Sequence, residues 1–183
     1  MSIYNSFCSI FCSKYRCDKG EPIRIYLSDT VKRSYCDDST IVIQCKKAIN
    51  FFLDTEEEYF IDVDVLIHEL AHVIEDCNSD IQMSCQKFLR DRTQNEQPIL
   101  LNDLWMNNPQ TTLEEKNKYP NGPYENDEIA KPDNFFDSYC GKIYSDGKTE
   151  ILTMGLERLM QDPLKFKKRR PRIFLFYYKT NKR

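Results

Sequence analysis

The stretch Val63–Asp76 reads VDVLIHELAHVIED, and it decides how the rest of the chain is understood. Its apolar residues are Val63, Val65, Leu66, Ile67, Leu70, Ala71, Val73 and Ile74. At 3.6 residues per turn these cover most of a helix's circumference. A surface helix carries one apolar stripe, whereas a helix apolar nearly all round belongs inside a domain. His68 and His72 lie within this stretch, and they are the only two histidines among 183 residues. Residues four apart on a helix share one face, so both imidazoles can be turned toward one point.

Two polar rings on a buried helix are costly unless each finds a partner. A shared divalent cation is such a partner. Chance placement of two histidines four apart, with Glu directly after the first, is expected roughly once in a thousand cases. The pattern His68-Glu69-Leu70-Ala71-His72 therefore predicts a zinc site, each imidazole about 2.0–2.1 Å from the ion. Glu69 falls about 100° around the helix from His68. That offset lets it accept a proton from a zinc-activated water without becoming a ligand. Asp76, one turn past His72, is a candidate to orient an imidazole, or else a solvated helix end.

A catalytic zinc needs a third protein ligand and one open position. With no histidine left, the ligand is a carboxylate or a thiolate. Glu150 is favoured, with Glu157, Glu96 and Cys140 as alternatives. It opens the segment TEILTMGLERL, in which Glu150, Thr153 and Glu157 share one helical face. Two carboxylates and a hydroxyl amid apolar neighbours suit a ligand with its supporting partners. The plainer reading has Glu150 stabilising the helix N-terminus and Glu157 in an ion pair. Tyr139 and Tyr144 precede this helix, and Tyr144 is the candidate donor to an oxyanion.

Around these segments the chain alternates strand and helix signals. Ile23, Ile25 and Leu27 alternate as in a strand, and Thr40, Ile41, Val42 and Ile43 form a second, with turn material at Asp37, Asp38 and Ser39. Residues 46–53 read as a short helix, followed by the acidic lead-in Glu56, Glu57 and Glu58. Residues 83–92 read as a helix, and another segment covers 96–103 with a break near Pro98. Residues 107–133, rich in Asn, Pro, Gly and charge, read as a long surface excursion able to cover a cleft. Residues 149–161 read as a helix capped by Thr149 and ended at Asp162-Pro163. Residues 173–178 read as a last apolar strand.

Composition fits one soluble domain spanning residues 1–183, with 40% hydrophobic and 30% charged residues. No apolar run is long enough for a bilayer, which argues against a membrane partner. The first residues lack the basic start and apolar core of a signal peptide, so the cytoplasm is the default compartment. In that setting the eight cysteines are expected as reduced thiols. The spacing of Cys8, Cys12 and Cys17 does not match the close pairs of a second zinc site. The net charge of −3 hides an asymmetry, since residues 165–183 hold nine of the 26 basic residues and no acidic one. Such a run reads as a solvated segment offsetting an acidic body, with nucleic-acid contact as the alternative.

The His68, Glu69 and His72 pattern resembles the zincin metallopeptidases, and the glutamate third ligand resembles their gluzincin-like group. The segment TEILTMGLERL, with Asp162-Pro163 and Phe166, is similar to the C-terminal part of small bacterial and phage HExxH proteins. Glu75 and Asn78 stand where the metzincin pattern needs Gly and His. Glu96 lies at a thermolysin-like distance, but no acidic residue follows it four positions later, and the long gap from His72 to Glu150 departs from thermolysin-like spacing. The resemblance implies an α+β, zincin-like fold: a small twisted mixed sheet on a buried zinc helix, with a second helix supplying the third ligand. It implies residues 40–44 as a sheet edge that aligns an extended substrate. It implies hydrolysis of a peptide or protein substrate, Glu69 acting as general base on Zn2+ chemistry. A protease acting as an effector or toxin on a single target, and a non-catalytic zinc-stabilised binding protein using the basic C-terminal run, are the alternatives.

Overall fold

The computed structural model describes residues 22–49, 57–162, 164 and 168. The chain divides into two compact units, one of Met1–Ile81 with Gly155–Arg183 and one of Gln82–Met154. The basic run, the strand expected at 173–178 and the Cys8, Cys12 and Cys17 cluster fall outside the described residues. Among the described residues no helix is long and apolar enough to cross a membrane.

In the first unit, β1 (Arg24–Ser28), β2 (Tyr35–Asp37) and β3 (Thr40–Gln44) form a mixed sheet in the order β1-β3-β2. β3 runs parallel to β1, with Arg24 opposite Thr40 and Ser28 opposite Gln44, and antiparallel to β2, with Asp37 opposite Thr40. The β2–β3 hairpin turns through Asp38 and Ser39, and Asp38 takes the left-handed φ of 51° that a two-residue hairpin loop demands. The four β-branched residues of β3 suit a central strand. Their alternation sends Ile41 and Ile43 fully into the core, where Leu70 and Val73 of helix α1 (Val63–Asp76) meet them.

The sheet thus packs on the histidine helix, as expected, but β3 is not an edge. β1 pairs along Thr40–Gln44 on one side and β2 along Thr40–Val42 on the other, so β3 lies between two strands. β1 forms where the alternation of Ile23, Ile25 and Leu27 reads as a strand, and it flanks β3 with Ile25 and Leu27 41% and 45% exposed. Residues expected to begin a short helix instead form β4 (Lys46–Ile49), antiparallel to β5 (Glu57–Phe60). A helix of so few residues is hard to nucleate alone, and pairing with a distant segment wins.

α1 has the bounds its sequence pattern implies. Asp62 caps its start by accepting a hydrogen bond from the Asp64 amide at 3.0 Å. Its second half is buried continuously from Glu69 to Glu75. Two residues, Cys77 and Asn78, separate it from α2 (Ser79–Thr93). Asn78 accepts from the Ile81 amide at 3.0 Å, a capping signal that extends α2 upstream of the expected start at residue 83. Cys36, Cys45, Cys85 and Cys140 are thiols, as expected, whereas Cys77 is disulfide-bonded to a partner outside the described residues. Pairing depends on the separation of two cysteines in the fold, which cysteine count and spacing do not report. Leu70→Ala should lower unfolding stability by about 2–5 kcal/mol, read as an earlier denaturant midpoint. An unchanged midpoint would mean that α1 does not share a core with β3.

The second unit contains β6 (Ile99–Leu100), α3 (Leu101–Met106), α4 (Leu113–Lys118), β7 (Ile129–Ala130) and a 3-10 turn at Ser138–Gly141. Leu101, Ala130 and Tyr139 form its core, with Leu104, Tyr124 and Met154 packed against them. The excursion over 107–133 is therefore not structureless. α4 carries a complete capping box between Thr112 and Glu115. β7 pairs antiparallel with β6. The Asn102 side chain binds both backbone groups of Tyr124, each at 3.0 Å. Gly122 has a φ of 86°, and a Cβ there would lie 2.0 Å from Asn102 Oδ1, so this turn requires glycine.

Candidate metal centre

Helix α5 (Ile151–Gln161) begins one residue after Glu150, whose carbonyl accepts from the Met154 amide at 3.2 Å. The Thr149 hydroxyl accepts from the Ile151 amide at 3.4 Å. Glu150 is therefore the residue that enters the helix rather than an interior one, and it is fully buried. Its carboxylate is held at both oxygens. Thr153 donates to Oε2 at 2.6 Å, and the Tyr144 hydroxyl donates to Oε1. Burial, and then the negative charge of Glu150, push the Tyr144 phenol far above its ordinary range, so it serves as a proton-bearing donor.

On α1, the rings of His68 and His72 lie with centroids 5.1 Å apart and planes 77° to one another. His68 Nδ1 is 3.4 Å from Glu157 Oε2, on the second turn of α5. A carboxylate at one imidazole nitrogen fixes the ring and its tautomer, leaving Nε2 as the nitrogen for an ion. The ligand atoms of His68, His72 and Glu150 all lie within 4.8 Å of one another. Two imidazoles and a carboxylate in that space can hold a metal ion, and among the described residues this is the group that can. The donor set fits a divalent transition metal, because nitrogen and carboxylate oxygen together suit zinc better than calcium or magnesium.

No protein family, curated protein or solved structure matches this chain. The site therefore stands on its own geometry.

The three expected ligands come together, and the other candidates do not join them. Glu157 is engaged with His68. Glu96 is exposed in the turn after α2. Cys140 is buried, and its thiol is pushed well up by desolvation and then by the charges of Asp137 and Glu150, which keeps it protonated. Tyr144, expected to face an oxyanion, places its hydroxyl on Glu150. Oxyanion donation would first require release of that bond. Glu69 is buried at 6% exposure and lies outside the donor group. Asp76 is half-buried near the end of α1.

Two buried charged residues were given no role in the sequence reading. Glu75 is 1% exposed on α1, and Lys142 is 6% exposed in the segment before Tyr144. The signal for Glu75 was its place on an apolar helix, three residues after His72. The signal for Lys142 was a single cation within the tyrosine-rich run from Tyr139 to Tyr144.

Proposed function

We propose that this chain is a zinc-dependent hydrolase that cleaves peptide bonds. The observation that carries the reading is the convergence of His68, His72 and Glu150 within 4.8 Å, beside a buried acid, Glu69, that is not among the donors. When bound, zinc supplies Lewis acidity and brings the pKa of a water toward neutrality.

The chain's own residues divide the remaining work. His68 and His72 hold the ion from one face of α1. Glu157 orients His68, while Thr153 and Tyr144 orient Glu150. Glu69 accepts the proton of the attacking water and returns it to the leaving nitrogen, so the proton count closes over one cycle. Among the described residues three donors, rather than four, converge, which fits a catalytic site better than a closed structural one.

The test uses purified full-length protein and a mixture of diverse peptides. About one zinc per chain is expected, by analogy with single three-donor sites. Hydrolysis should stop on chelation and return with added zinc. Protein that holds iron in place of zinc would redirect the chemistry. Protein that holds zinc yet leaves every peptide intact would overturn the peptidase reading.

A further inference from the structure

Tyr144 and Glu150 are 6 positions apart, and hydrogen bonds close the segment between them. The Gly147 amide donates to the Tyr144 carbonyl at 3.3 Å, which makes Tyr144–Gly147 a tight turn. The Lys148 amide donates to Asp146 Oδ1 at 3.1 Å. The Tyr144 hydroxyl donates to Glu150 Oε1, so the two ends of the segment meet at the carboxylate.

A side chain from another element grips this turn. Gln86 lies on α2, directly after the fully buried Cys85. Its Nε2 donates to the Gly147 carbonyl at 2.8 Å, across 61 positions of sequence. Gly147 has a φ of 82°, and a Cβ there would lie 2.9 Å from that same Nε2. Glycine therefore serves the turn twice, by taking a left-handed conformation and by leaving room for the amide.

The consequence reaches the carboxylate through the backbone. Tyr144 opens the turn, so the orientation of the turn decides where its hydroxyl falls. A turn offers its carbonyls no helix or sheet ladder, and a partner from a rigid helix supplies the missing fixed point. Without the Gln86 donor the turn can rock about its ends, and the hydroxyl spends less of its time on Oε1.

We propose that Gln86 is a positioning residue for the metal site, pinning the Tyr144–Gly147 turn and so holding the Tyr144 hydroxyl on Glu150. This rests on reading His68, His72 and Glu150 as ligands.

The experiment is zinc binding by the full-length apoprotein, measured in competition with a chromophoric chelator, for Gln86→Met, Tyr144→Phe and the double variant. Methionine keeps the length and helix propensity of glutamine and removes the donor. Tyr144→Phe should weaken zinc binding roughly 10- to 100-fold, the usual effect of losing a partner of a metal ligand. Gln86→Met should weaken it about 3- to 10-fold, the weight of one neutral hydrogen bond. In the Tyr144→Phe background the same change should leave affinity where it was, because the hydroxyl that Gln86 positions is gone. A role in packing alone would give the same loss in both backgrounds. That result, or wild-type affinity in Gln86→Met, would overturn the inference alone. A wild type that binds no zinc would overturn the ligand reading and this inference with it.

Discussion

Glu69→Gln is expected to lower peptide turnover by roughly 10²- to 10⁴-fold, the range that general acid–base groups contribute. The variant should still purify with about one zinc per chain, because its ligands are untouched. Glutamine matches glutamate in length and in helix propensity, so α1 keeps its form. Glu69 is buried on that helix and stands outside the donor group. What the substitution removes is the capacity to take and return a proton. The measurement pairs progress curves at saturating zinc with elemental analysis of the same preparation. Equal turnover in both proteins would end the hydrolase reading. Loss of the metal would show that Glu69 is a ligand, and the assignment of the base would have to move.

How much of this was legible in the sequence depended on how local each signal is. α1 was readable to the residue, because its apolar pattern lies within one stretch. The shared face of Glu150, Thr153 and Glu157 was likewise local. The structure turns that face into two distinct supports, Thr153 on the Glu150 carboxylate and Glu157 on His68. Strand order was not readable. Placing β3 between β1 and β2 is a choice among long-range pairings, and the same β-branched run serves equally as an edge or a centre. β4 was misread for a related reason, since its pairing partner β5 lies beyond an intervening segment. The excursion over 107–133 looked loose by composition, but Asn102 and β6 hold it from outside its own sequence. Lys142 was invisible for the opposite reason. Lysine is ordinarily a surface residue, and only the fold shows it against Glu128 and two aromatic rings.

Glu150→Gln should abolish tight zinc binding, lowering affinity by more than the roughly 10- to 100-fold that loss of a supporting partner brings. The variant exchanges a charged donor for a neutral amide of the same shape at a fully buried position. Its effect on folding runs the other way. An ionised carboxylate buried without its metal is costly, and the amide relieves that cost. The amide oxygen still accepts from one of the two hydroxyls. Its nitrogen donates to the other, whose own proton can rotate away. The metal-free Gln variant should therefore melt at or above the wild-type temperature. Zinc reverses the ranking. At a hundred times its dissociation constant it stabilises the wild type by about 2.7 kcal/mol, and at that concentration it leaves the variant nearly unmoved. Glu150→Ala would confuse the two effects, because it strands the Tyr144 and Thr153 donors at about 1–3 kcal/mol each. Melting curves of wild type and the Gln variant, with and without zinc, therefore separate ligation from packing. A Gln variant that zinc stabilises as strongly as the wild type would remove Glu150 from the donor set and leave the histidines seeking another third partner.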